Sequence, residues 1–118
     1  MRELWEDIEG FNGRYSVSVC GRVIANQWVT TAGNTLKAKQ LKPGVNRVGY
    51  GTLALVSPDG SKASYYVHRL VAQAFYGPQP ANRVVNHINE VTTDNHIHNL
   101  EYVSRAENYN HSFQRKHA

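Results

Sequence analysis

The stretch that decides the fold runs from Val84 to His111 and reads "VVNHINEVTTDNHIHNLEYVSRAENYNH". It contains four of the six histidines of the chain and six asparagines, and it contains no cysteine. Imidazole and carboxamide groups are costly to bury without hydrogen-bond partners, so this density disfavours an ordinary hydrophobic core. The same groups bind metal ions and phosphate oxygens, so the stretch predicts a site that holds both.

The pattern within this stretch changes from apolar to polar and back. "VVNHI" is typical of a strand, "NEVTTDNHIHN" is too polar for regular structure, and "LEYVS" is typical of a second strand. Ser104 and Glu107 then have the spacing of a capping box, which predicts a final helix from Ser104 to about Lys116. From Val84 onward the predicted order is strand, polar loop, strand and helix.

The sequence before this stretch divides into a β-rich part and one short helix. Helically spaced apolar residues, followed by Gly77 and Pro78, predict a helix from about His68 to Tyr76. Residues 1–67 instead show short apolar pieces separated by glycine, and "SPDG" at Ser57–Gly60 is a strong turn signal. We therefore expect residues 1–67 to form a small antiparallel sheet with exposed polar edges.

The bulk composition limits the classes of protein. A chain of 118 residues has room for one compact domain, or for a small domain with an appended module. The net charge of +4 favours a polyanionic partner. Cys20 is the only cysteine, which excludes an intrachain disulfide and a cysteine-based zinc site. The absence of a long apolar run and the polar start "MRELWEDIEG" predict a soluble, cytoplasmic protein with no membrane partner.

Two parts of the sequence resemble a known family. The segments "YYVHRLVAQAF", "VVNHI" and "DNHIHNLEYVSRAEN" resemble the HNH endonucleases of phages and mobile introns. The segment "LWEDIEGFNGRYSVSVCGRV" resembles the small module that often precedes the nuclease core in homing endonucleases. The resemblance covers nearly the whole chain. It implies an α+β protein, with a DNA-binding antiparallel sheet module at residues 1–67 and a ββα-metal nuclease core at residues 68–118.

The resemblance also implies roles for four residues. His87 matches the general base that takes a proton from the attacking water, and Asn99 matches the asparagine whose amide orients that base. Asn86 and Asn108 match the ligands of a divalent cation, expected to be Mg²⁺ or Mn²⁺. The chemistry agrees, because a neutral imidazole can accept a proton at cellular pH and Mg²⁺ prefers oxygen donors.

The sequence departs from the family pattern in two places. Many relatives carry aspartate where this chain has Asn86, and a neutral ligand is expected to bind the cation more weakly. Relatives commonly have an Asp-Gly-Asn-Lys run where this chain has Asn89–Thr92. Because that glycine is missing, we expect the loop to bend differently.

Each assignment has a simpler structural alternative. His87 could be a buried structural histidine, Asn99 could close the polar loop, and Asn108 could be an exposed helix residue. We expect His68 to be structural, and His96 and His98 to be solvated rather than a zinc pair.

Duplex affinity is expected to come from cations that neutralise phosphates, and about half of the candidates should do so. His111 lies three residues after Asn108, on the same helical face, and is a further candidate for phosphate contact. The DNA-binding candidates are Arg14, Arg22, Lys37, Lys39, Arg47, Arg69, Arg105 and His111.

The expected function is metal-dependent hydrolysis of phosphodiester bonds in double-stranded DNA, in a bacterial host cell, by a phage or mobile-element endonuclease. A monomer would nick one strand, whereas a homodimer could cut both. The alternative is a catalytically weakened HNH-fold protein that binds DNA as a phage regulator or packaging accessory, with phage packaging proteins as partners. A third reading, a structural RNA- or ribosome-associated protein, rests only on the basic charge.

Overall fold

The computed structural model describes residues 3–106, which form an α+β structure of short antiparallel strands and one α-helix. This confirms the predicted fold class. The strands are β1 (Trp5–Asp7), β2 (Tyr15–Ser18), β3 (Val23–Ala25), β4 (Trp28–Val29), β5 (Thr35–Leu36), β6 (Lys39–Leu41), β7 (Gly44–Val45), β8 (Gly51–Val56), β9 (Lys62–Tyr66), β10 (Arg83–His87) and β11 (Leu100–Ser104). The helix is α1 (Val67–Tyr76), and a 3₁₀ turn, η1 (Ile97–Asn99), precedes β11.

The first nine strands form three antiparallel sheets rather than the single sheet expected. One sheet has the order β1-β2-β3-β6, a second has the order β7-β8-β9, and β4 pairs only with β5. The turn predicted at Ser57–Gly60 is present between β8 and β9, where the amide of Gly60 donates to the carbonyl of Ser57 at 2.9 Å. Because β3 pairs with β6, the β4–β5 hairpin projects from the first sheet as an insertion.

Helix α1 lies where the sequence predicted it, starting one residue earlier. Its apolar positions fall at helical spacing, and Val67, Leu70 and Val71 are buried on one face. The helix ends at Gly77, whose φ of 95° is accessible to glycine at little cost.

One hydrophobic core joins the parts of the chain on either side of α1. Its completely or almost completely buried side chains come from β2, β3, β8, α1 and β11, and include Val17, Val23, Leu55, Val71 and Leu100. Burying one such side chain stabilises a fold by about 1.5–3 kcal/mol. Helix α1 contacts β2 and β8 on one side and β10 and β11 on the other, so it links the N-terminal sheets to the β10–β11 hairpin.

The β10–β11 hairpin presents the segment quoted at the outset. The two strands are antiparallel, with His87 opposite Leu100 and Asn86 opposite Glu101. Both predicted strands are thus confirmed. The next residues, Arg105 and Ala106, are helical, in agreement with a helix beginning after Ser104. The rest of that predicted helix, with Asn108 and His111, lies outside the described residues.

Within residues 3–106, no helix is long and apolar enough to cross a membrane.

Candidate active site

His87 is the last residue of β10, and its ring is buried in a polar and aromatic setting. Its side chain is 6% exposed. Its Nε2 lies 2.8 Å from Oδ1 of Asn95, and the ring centroids of His68 and Tyr50 lie 5.0 and 5.9 Å away. A carboxamide oxygen can only accept a hydrogen bond, so Nε2 carries the hydrogen when the imidazole is neutral. The basic lone pair is then on Nδ1.

The amide that contacts His87 belongs to Asn95. The Asn99 carboxamide is engaged inside the loop instead. Its Oδ1 accepts from the backbone amide of Asn89 at 2.9 Å, and its Nδ2 donates to Oδ1 of Asn89 and to the carbonyl of Asp94, both at 2.9 Å. The cause is η1, which ends at Asn99 and directs this side chain into the loop. Asn99 therefore closes the loop that carries Asn95.

The loop after β10 bends through a residue in the left-handed region. Glu90 has a φ of 69°, and its amide donates to the carbonyl of His87 at 3.0 Å. Glu90 occupies the position of the glycine that is missing from the family pattern, and it adopts a backbone conformation that favours glycine. For a residue with a Cβ, that conformation costs about 1–2 kcal/mol.

Asn86 is paired with a carboxylate across the hairpin. Its Nδ2 donates to Oε1 of Glu101 at 3.0 Å. This contact leaves the Asn86 Oδ1 as the oxygen that could face a cation, and places a negative charge beside it. Carboxamide and carboxylate oxygens suit Mg²⁺ and Mn²⁺, so the residues present fit a hard divalent ion. Among residues 3–106, no group of three or more histidine, cysteine, aspartate or glutamate residues could hold a metal.

The N-terminal sheets hold the loop from outside. The amide of Ile97 donates to the carbonyl of Val19 at 2.8 Å. The hydroxyl of Thr92 donates to the carbonyl of Gly49 at 2.7 Å. Two turns that are distant in sequence therefore fix two points of the loop that carries the site.

His68 lies beside His87 in a ring cluster with Tyr50 and Tyr66. It is buried, and its Nδ1 has no hydrogen-bond partner among the described residues. Burial, together with the nearby charges of His87 and Arg69, lowers the pKa of His68 to about 4. His68 is therefore neutral near neutral pH.

The predicted DNA-binding cations differ in their surroundings. Six are exposed: Arg22, Lys37, Lys39, Arg47, Arg69 and Arg105. Arg14 is half-buried and lies over the ring of Tyr15. Arg22 forms a salt bridge with Glu3, with Nε 2.9 Å from Oε2. This hydrogen bond raises the pKa of Arg22 and partly offsets its charge.

The sequence reasoning missed Asn95 and Glu101. Asn95 is one of three asparagines in the segment 89–99, and no local pattern separates it from the other two. Glu101 could have been found from the strand register, because the predicted hairpin pairs a residue of β10 with one of β11.

Two family models match the chain in succession. A model described as the NUMOD4 motif matches residues 3–56, and a model described as HNH endonuclease matches residues 65–109.

Three relatives are similar to this chain over much of its length. The prophage-derived HNH homing endonuclease YosQ of Bacillus subtilis is 34% identical over 90 residues, or 74% of this chain. The uncharacterized HNH endonuclease L247 of Acanthamoeba polyphaga mimivirus is 35% identical over 93% of this chain. The DNA endonuclease I-HmuI of Bacillus phage SP01 is 32% identical over 94% of this chain. The chain spans only 52%, 26% and 58% of these three proteins, respectively.

A solved structure described as DNA binding and cleavage by the HNH homing endonuclease I-HmuI is similar in fold. The TM-score is 0.79 at 30% identity, and the match covers 96% of this chain and 59% of that one.

Proposed function

This chain belongs to the HNH endonuclease family, and from that premise we propose that it is a metal-dependent endonuclease acting on double-stranded DNA. The observation that carries the proposal is the setting of His87, a buried imidazole that one carboxamide holds at Nε2. Such a ring is held in one orientation at the end of a strand. That arrangement suits a base that must meet a water molecule in a fixed direction.

His87 is the general base in this proposal. With its Nε2 hydrogen donated to Asn95, the ring offers Nδ1 to the proton of the attacking water. A positioned base of this kind contributes about 10²–10⁴ in rate. The neutral ring of His68 beside it adds no competing positive charge.

Asn86 and Asn108 are the proposed metal ligands. HNH nucleases generally use a divalent ion, and we propose Mg²⁺ or Mn²⁺. When bound, the cation supplies polarisation of the scissile phosphate and stabilises charge on the departing 3′ oxygen. Glu101 accepts from Nδ2 of Asn86, which orients the amide so that Oδ1 is available. Asn99 has the proposed role of holding the loop after β10 closed, through the hydrogen bond that its Nδ2 donates to the carbonyl of Asp94.

DNA binding is assigned to exposed cations on both parts of the chain. We propose that residues 1–67 form the DNA-binding module and residues 68–118 the nuclease core. Lys37 follows the β4–β5 hairpin and Lys39 begins β6, whereas the proposed nuclease core carries Arg69 and Arg105. We also propose phosphate contacts for Arg14, Arg47 and His111, and expect less from Arg22, because Glu3 already neutralises it.

The products follow from water attack with the 3′ oxygen as leaving group. Hydrolysis then leaves a 5′-phosphate and a 3′-hydroxyl. One chain has one such site and would nick one strand, whereas a homodimer could cut both. The proposed setting is the cytoplasm of a bacterial host.

The test is a supercoiled-plasmid nicking assay with Mg²⁺ or Mn²⁺. The wild-type protein should convert supercoiled plasmid to the nicked form, and His87→Ala should abolish this conversion. His98→Ala is the matched control, because His98 is an exposed histidine of the same loop, and it should nick at the wild-type rate. Binding of duplex DNA without nicking in either metal would contradict the proposal and favour a regulator or packaging accessory.

A further inference from the structure

We infer that Asn95 is a positioning residue for His87, and that the β2–β3 turn at Gly21 fixes Asn95 in place. The inference rests on the proposed role of His87 as the base. It gives the N-terminal sheet a second task besides DNA binding, because that sheet then controls the orientation of the reacting imidazole.

The first support is the contact between the two side chains. Asn95 is 8% exposed, and its Oδ1 accepts the hydrogen of the His87 Nε2 at 2.8 Å. Since His68 and Tyr50 touch the same ring through their own rings only, Asn95 is the one described residue that hydrogen-bonds to His87 by its side chain. Without it, the ring could change its tautomer or flip while staying in the same cavity.

The second support is the close approach of Gly21 to Asn95. Gly21 has a φ of +87°, and a Cβ built on it would lie 2.9 Å from the Cβ of Asn95 and 3.0 Å from its carbonyl oxygen. No other residue type fits there unless the loop moves. The backbone of the turn therefore lies against the backbone of Asn95.

The turn itself is held rigidly. The hydroxyl oxygen of Ser18, which is fully buried, accepts from the amides of Cys20 and Arg22 at 3.1 and 3.2 Å. The amide of Gly21 donates to the carbonyl of Ser18 at 3.0 Å. The adjacent Val19 carbonyl also accepts from the amide of Ile97. One turn thus fixes the loop at Asn95 and again two residues later.

Substitution of Asn95 tests the first contact in single-turnover cleavage with saturating DNA. Asn95→Ala should lower the cleavage rate by about 10- to 100-fold, the range found for residues that orient the ligands of metal sites. The Kd for DNA should stay within about twofold, because Asn95 is buried. Asn95→Asp should keep most of the rate, because a carboxylate oxygen also accepts from Nε2.

The pH profile separates positioning from a structural role. A carboxylate beside the ring stabilises the imidazolium, so the acidic limb of the Asn95→Asp rate profile should move to higher pH. An equal loss of rate in both variants, with an unmoved profile, would overturn the inference.

Gly21→Ala tests the second contact, with Gly33→Ala as its control. Gly33 has nearly the same φ of +86°, but a Cβ there would meet nothing within 4 Å. Both variants carry the same backbone strain, so only the contact with Asn95 differs. At a temperature where both are folded, Gly21→Ala should cleave at least tenfold more slowly than Gly33→Ala. Equal rates would refute the role of the turn.

Nitrogen NMR of His87 distinguishes failure of this inference from failure of the proposed function. In the wild-type protein without DNA or metal, His87 should show a single Nε2–H tautomer, and Gly21→Ala or Asn95→Ala should show a mixture. A single tautomer in a wild-type protein that does not cleave would support the inference and reject the nuclease. A mixture of tautomers in a wild-type protein that does cleave DNA would reject the inference and support the proposed nuclease function.

Discussion

Replacement of Asn99 by alanine should destabilise the protein strongly, because the carboxamide closes the loop by three hydrogen bonds. One is accepted from the amide of Asn89, and two are donated, to the Asn89 side chain and to the Asp94 carbonyl. A net hydrogen bond contributes about 0.5–1.5 kcal/mol, so Asn99→Ala should cost about 2–4 kcal/mol. That is a large fraction of the 5–15 kcal/mol by which domains are usually stable.

Urea unfolding followed by circular dichroism, without metal or DNA, measures this cost. Asn99→Asp should be intermediate, because a carboxylate still accepts from Asn89 but cannot donate. Asn82→Ala is the control, since Asn82 is exposed shortly before β10 and its side chain makes no hydrogen bond within the described part of the chain; it should cost less than about 0.5 kcal/mol. If Asn99→Ala matched Asn82→Ala in stability yet abolished cleavage, Asn99 would act on the chemistry and our account of the loop would be wrong.

Three further predictions concern the proposed metal ligand, His68 and the DNA-binding cations. Asn86→Asp should bind Mg²⁺ more tightly by calorimetry and still cleave, and an unchanged affinity would remove Asn86 from the metal ligands. The pKa of His68 falls from 6.5 to about 4 on folding, so between pH 6.5 and pH 4 the unfolded chain binds more protons than the folded protein. The free energy of unfolding should therefore fall as the pH drops through this range, by at most about 3 kcal/mol. His68→Phe should remove most of that loss in urea unfolding across this window, and an equal pH dependence in both proteins would refute the cause. Lys39→Ala should reduce the slope of log Kd against log salt concentration by about 0.9. Arg22→Ala should change this slope little, because Arg22 is already paired with Glu3. Equal slope changes in the two variants would show that Arg22 also contacts phosphate.

The β10–β11 hairpin and α1 could be predicted because their signals are local. The two apolar runs, the helical spacing and the glycine after Tyr76 lie within a few residues of the elements that they define. The capping pair at Ser104 likewise places the start of a helix, and Arg105 is already helical. The presence of an imidazole and a carboxamide in the site could be predicted for the same reason, since His87 and Asn86 lie together at the end of an apolar strand.

The partner of His87 could not be predicted, because it depends on how the loop folds back. Asn89, Asn95 and Asn99 are equivalent in the sequence, and only η1 and the contacts from Val19 and Gly49 decide which carboxamide reaches the ring. The division of residues 1–67 into three sheets is similarly non-local. Strand β3 skips the following hairpin to pair with β6, a choice that no short window of sequence contains.

The contacts between the loop and the N-terminal turns limit how parts of this protein could be exchanged with parts of related proteins. The loop that holds Asn95 meets the preceding part of the chain at Val19, Gly21 and Gly49, so a graft at the junction near residue 67 would exchange one half of a fitted surface. A hybrid enzyme made in this way would inherit a complete set of reacting groups and still work poorly. The activity of such a hybrid should improve when the β2–β3 turn is taken from the same donor protein as the catalytic loop, so this turn and this loop should be exchanged together.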